Sequence, residues 1–119
     1  MAPRSPLAIA TSSVQRLVKE EASYHRELQQ QTERVRRLET EQGDDEDGNR
    51  EFTLKQERLA LEETKNVLPT LKTKIHEAIA KLEALLVEEG KKGAESDVEQ
   101  INAGKEAISK AKTAEREVS

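Results

Sequence analysis

Residues 50–89, REFTLKQERLALEETKNVLPTLKTKIHEAIAKLEALLVEE, carry Leu54, Leu61, Leu68, Ile75 and Leu82 at unbroken seven-residue intervals. Leu71, Ala78 and Leu85 add the companion series, and Ile79 and Leu86 widen the stripe. Apolar residues at alternating steps of three and four fall on one face of an α-helix. The spacing therefore predicts a helix over 50–89, about 60 Å long at the α-helical rise. Pro69 lies in its middle; it removes one backbone donor, its ring crowds the carbonyl of Lys65, and a kink is expected there.

A single helix of this kind leaves its stripe in water, so it needs partners. One lies upstream. Val14, Leu28 and Val35 occupy one heptad position and Leu17, Tyr24 and Leu38 the other, with polar Glu21 and Gln31 interrupting the stripe. Ser12 and Gln15 have the spacing of a capping box, which predicts a helix over 13–42 stopped near Gly43. Between the two, Gln42 to Asn49 reads QGDDEDGN, and its glycines and acids disfavour both helix and burial. Downstream, Gly90-Lys91-Lys92-Gly93 is a second turn, and Ser96 with Glu99 repeats the capping spacing. A weaker stripe of Val98, Ile101, Ile108 and Ala111 predicts a helix over 96–115, in which Gly104 costs about 1 kcal/mol against Ala. The fold class expected is all-α, an antiparallel three-helix bundle spanning 12–115. Residues 1–11 are expected as a proline-containing arm, either flexible or packed on the bundle edge through Leu7 and Ile9, and 116–119 as a frayed end. Burial of part of the stripe against a second copy is the alternative.

Composition narrows the function. The 119 residues are 37% charged and 34% hydrophobic, and only Tyr24 and Phe52 are aromatic, which fits a thin seam between helices. The net charge of −4 argues against nucleic acid, whose binders present basic surfaces. No cysteine is present, so disulfides, thiolate metal sites and a Cys nucleophile are excluded. The run Leu7 to Ala10 is too short for a signal-peptide core and no stretch approaches a membrane span, so the chain reads as soluble and unexported. His25 and His76 sit on different helices at the stripe edges, where boundary packing accounts for them. A calcium loop centred on Gly48 would need Gly43 at its first position and Leu54 at its twelfth, both wrong. The Gly90–Gly93 turn lacks the phosphate-loop pattern. No catalytic constellation emerges, and no cofactor or metal is expected. What remains is surface: mixed charge on the outer faces, including Arg16, Lys19, Glu20 and Arg26 on the first helix and Lys55, Glu63 and Lys65 on the second.

The run Ser13-Val14-Gln15-Arg16-Leu17-Val18-Lys19-Glu20-Glu21, followed by Tyr24, Arg26-Glu27, Gln30-Gln31 and Arg37-Leu38, resembles the opening helix of the tubulin-binding cofactor A family, also called tubulin-specific chaperone A. The acidic turn, Phe52-Thr53-Leu54-Lys55-Gln56, Leu61, Glu63, Lys65 and Leu68-Pro69 continue the likeness. It is looser over the third helix, where Ile101, Ile108 and Lys112 fit. The resemblance implies a non-enzymatic, cytoplasmic, cytoskeleton-associated three-helix bundle. Such a protein captures β-tubulin leaving the cytosolic chaperonin and holds it before αβ assembly, without nucleotide. It also implies an indirect relation to other tubulin-folding cofactors and a monomeric or homodimeric state. The charged residues named above, most of them inside the family-like runs, are the expected β-tubulin contacts: Arg16, Lys19, Glu20, Arg26, Lys55, Glu63 and Lys65. The competing reading is a generic coiled-coil adaptor or dimerisation module.

Overall fold

The computed structural model describes residues 4–41 and 48–118. Three α-helices make up the fold: α1 (Pro6–Thr40), α2 (Asn49–Gly90) and α3 (Val98–Val118), with a short 3-10 turn at Gly93–Glu95 before α3. No strand occurs among the described residues, and the fold is the all-α three-helix bundle expected. Residues 42–47 of the acidic turn, with the candidate cap Gly43, lie outside the described residues.

Helix α1 begins at Pro6, not at Ser12 or Ser13. Ser5 is its cap: the Ser5 hydroxyl oxygen accepts from the Ala8 backbone N–H at 3.1 Å. Pro6 takes the first helical position, where its missing N–H leaves no bond unmade. The supposed arm thus extends the apolar stripe by two turns, and Leu7 and Ala10 are buried with Val14. The Thr11 hydroxyl donates to the Leu7 carbonyl at 3.0 Å, as a threonine inside a helix does.

Helix α3 also starts differently. Asp97 caps it, its Oδ1 accepting from the Gln100 N–H at 3.1 Å, while Ser96 donates its hydroxyl to the Glu89 carbonyl at 2.8 Å. Gly93, at φ +63, makes the reversal before it. The buried line of α3 is Gly104, Ala107 and Ala111, and Val98 is exposed. Small residues let the helix approach closely: a Cβ on Gly104 would meet Leu86 Cδ2 at 3.0 Å, with Leu82 Cδ1 and Thr11 Oγ1 at 3.4 Å.

The chain divides into two compact units, Met1–Glu20 with Leu71–Ser119, and Glu21–Thr70. The first is the bundle proper. Leu7, Ala10 and Val14 from α1, Ile75, Ile79 and Leu82 from α2, and Ala107 and Ala111 from α3 form its core, flanked by Leu17, Leu85, Leu86, Ile101 and Ile108. The Ser5 hydroxyl donates to Gln100 Oε1 at 2.7 Å, setting α1 parallel to α3. A bond between His76 and Glu115 sets α2 antiparallel to α3.

The second unit is a two-helix hairpin from α1 and α2. Val35 is the one buried apolar residue among its described residues, and Glu21, Gln31 and Thr64 are buried as well. The polar interruptions noted in the stripe therefore lie in the seam, and Gln31 Oε1 has no hydrogen-bond partner there. Leu54, Leu61 and Leu68 are only half-buried. Ion pairs Arg34–Glu57 (3.3 Å) and Arg58–Glu39 (3.2 Å) cross between the helices. Helix α2 continues on both sides of Pro69, and the division between the units falls one residue beyond it.

Candidate partner-binding surface

All seven charged residues singled out from the sequence are exposed. In the bundle unit Lys19 and Glu20 stand three and four residues after Arg16 on α1, which puts each on the same face as Arg16. Lys19 also borders a shallow groove lined by Gln15, Val18, Ala107 and Lys110, so α3 contributes a second cation to this face. Lys110 was not singled out from the sequence, because nothing in its local pattern shows which side of α1 it approaches. Neither Arg16 nor Lys19 makes an ion pair among the described residues.

In the hairpin unit Arg26 is exposed on α1, and Lys55, Glu63 and Lys65 on α2. These three do not share a face. At 100° per residue Glu63 and Lys65 lie roughly 160° apart around the helix, with Lys55 between them. Lys65 stands 3.9 Å from Glu62. Lys55 edges a groove with Glu51, Leu54, Arg58, Leu59 and Glu62. Beside it, Phe52 and Leu59 are 63% and 51% exposed, seven residues apart on the same side of α2. The heptad reading missed this apolar pair because both lie outside the main stripe.

The histidines behave as side chains at helix boundaries. His25 is half-buried. His76 Nε2 lies 2.7 Å from Glu115 Oε1, and Lys72 Nζ lies 3.8 Å from the same oxygen. The hydrogen bond from His76 is the main cause that lowers the Glu115 carboxyl below its ordinary value; partial burial opposes it, and the charges of His76 and Lys72 add to it. No group of three or more His, Asp or Glu among the described residues could hold a metal ion. Among the described residues no helix is long and apolar enough to cross a membrane.

Charged helix faces over a thin apolar seam, with shallow grooves, define an all-α helical bundle. Residues 2–108 match the tubulin binding cofactor A family, and the chain belongs to that family. Among its relatives is tubulin-specific chaperone A of Saccharomyces cerevisiae, 37% identical over 86 residues that cover 72% of this chain and 76% of the relative. Another is tubulin-specific chaperone A of Mus musculus, 28% identical over 101 residues that cover 85% of this chain and 82% of the relative. No solved structure matches the chain significantly.

Proposed function

We propose that this protein is a tubulin-folding cofactor that binds β-tubulin folding intermediates released from the cytosolic chaperonin and holds them before αβ assembly. The match to the tubulin binding cofactor A family over residues 2–108 carries the reading. The surface supports it physically. Holding an intermediate means shielding its exposed surface without demanding a final shape. Long charged faces do this by broad polar contact, at an affinity that still permits release. The proposed contacts are Arg16, Lys19 and Glu20 on the bundle unit, and Arg26, Lys55, Glu63 and Lys65 on the hairpin unit. Exposed charges of this kind act more on association rate and salt dependence than on affinity, and the protein works in the cytoplasm without nucleotide, as monomer or homodimer.

The test is retention of purified α- and β-tubulin on the immobilised protein, with two variants. Arg16→Glu/Lys19→Glu and Arg26→Glu/Lys55→Glu should each slow β-tubulin capture severalfold at low salt, where screening is weakest, with melting unchanged. Equal retention of the two tubulins would instead favour a generic helical adaptor. Normal capture by both variants would remove these faces from the contact.

A further inference from the structure

Helix α3 gathers three of its exposed cations on one side. At 100° per residue Lys105, Lys112 and Arg116 fall within roughly 40° of one another, whereas Glu99, Glu106 and Glu117 lie roughly 100–120° further round. Several other exposed cations pair with a carboxylate one turn away: Lys91 with Glu88, Lys92 with Glu89, Lys110 with Glu106 and Arg36 with Glu33. Lys105 departs from that pattern. Lys105 has Ile101, Asn102, Ile108 and Ser109 one turn away, and Lys112 has Ile108, Ser109, Glu115 and Arg116. Neither lysine makes an ion pair among the described residues. Helix α2 adds Lys72, and a groove between the two helices is lined by Lys72, Lys112, Glu115 and Arg116. Its lone carboxylate, Glu115, is already engaged by His76 at 2.7 Å and Lys72 at 3.8 Å. Glu83, on the same side of α2 as Lys72, stands about 16 Å further along the helix, outside this groove and level with the Lys105 end of the α3 stripe.

We propose that this α2–α3 edge, carrying Lys72, Lys105, Lys112 and Arg116, is a docking site for an extended Asp/Glu-rich peptide segment of a partner protein. The inference goes beyond the reading of the α1 and α2 faces given above and does not need it. Charge complementarity sets the sign of the partner, and geometry sets its form. From Lys105 to Arg116 the stripe runs about 16 Å, the length of about five residues of extended chain. Its cations are strung along the axis on separate side chains instead of converging on one point. That arrangement matches a row of single carboxylates, which recur on one side of an extended chain about every 6.6 Å. A single phosphate would leave most of the row unused. A nucleic-acid duplex is wider than the stripe and would meet the acidic flank of Glu99, Glu106 and Glu117.

Fluorescence anisotropy with a labelled glutamate-rich hexapeptide tests the site on the full chain. Saturable binding is expected, weakening as salt shortens the Debye length. Lys105→Glu/Lys112→Glu should weaken it about tenfold with an unchanged melting curve, since both side chains are exposed. Lys91→Glu/Lys92→Glu, with the same change in net charge at the α2–α3 turn, should stay within about twofold. Wild-type peptide binding by the stripe variant would overturn the proposal. So would an equal loss in the turn variant, which would mean attraction to total charge, or tighter binding of an oligodeoxythymidylate of similar length. The assay contains no tubulin, so its failure leaves the reading of α1 and α2 standing.

Discussion

A Cβ added at Gly104 would stand 3.0 Å from Leu86 Cδ2, in the narrowest part of the bundle core. Alanine there gains about 1 kcal/mol of helix propensity but displaces the end of a leucine side chain. Gly104→Ala should therefore shift stability by less than about 1 kcal/mol. Gly104→Val places two more methyl groups against Leu82 and Thr11 and should cost about 1–3 kcal/mol. Urea midpoints of the two variants check this; a valine tolerated as well as alanine would mean that α3 does not approach α2 so closely. At Glu115 the sign of the pH effect follows from its cause. Its folded pKa lies below the ordinary 4.5, chiefly through the His76 hydrogen bond. The stability it contributes is therefore present above 4.5 and is lost as pH falls through the lower folded value. Glu115→Gln should be less stable than wild type at neutral pH, and the gap between their denaturant midpoints should close in acid. A gap that is constant with pH would exclude the ion pair as its source.

On α2 one heptad series runs through both units, so equivalent sequence positions have different surroundings. Ile75 is 5% exposed in the bundle core, whereas Leu61 is half-buried in the hairpin. Ile75→Asp should cost about 3–5 kcal/mol by burying an unpaired carboxylate. Leu61→Asp should cost about 1–2 kcal/mol, since its carboxylate reaches water. Equal costs in thermal or chemical melts would contradict the division. The heptad pattern made the helices and their inward faces legible, because periodicity reports which side meets a neighbour. It did not report how many neighbours there are, and so hid the difference between Ile75 and Leu61. Helix starts were legible only in part. Ser12–Gln15 and Ser96–Glu99 have capping spacing, but Ser12 lies inside α1, whose cap is Ser5, and Asp97 takes the cap of α3. The weak stripe of α3 was legible in Ile101, Ile108 and Ala111, which pack at the core, but its Val98 is exposed, and Gly104 and Ala107 are too small to mark a stripe by hydrophobicity. Of the candidate surface, exposure was legible and convergence was not. Lys110 near Lys19, Phe52 with Leu59, and Lys72 with Glu115 all depend on packing between helices or on faces outside the stripe.

Across the whole molecule stability is unevenly distributed, and this bears on how a folding client would be held. Among the described residues ten apolar side chains are buried, and of these Val35 alone belongs to the hairpin, 21–70. The hairpin seam instead contains Glu21, Gln31 and Thr64, with Gln31 Oε1 unpartnered. A buried polar atom without a partner costs about 1–3 kcal/mol, and the exposed ion pairs Arg34–Glu57 and Arg58–Glu39 return little. Pro69 withholds a backbone donor at the edge of this unit. Local opening should therefore begin in the hairpin, at lower free energy than opening of the bundle. Native-state hydrogen exchange should show amides of 21–40 and 49–68 exchanging at least about tenfold faster than those of 75–86 and 104–111. Gln31→Leu removes the unpartnered oxygen and adds apolar contact, so it should slow exchange in the hairpin and leave the bundle amides unchanged. Uniform protection across both sets would show that the two units open together. A Gln31→Leu variant that slowed both sets equally would place the weak point elsewhere. A readily opened hairpin beside a firmly packed bundle would let one part of the surface adjust to a partner while the other keeps its shape.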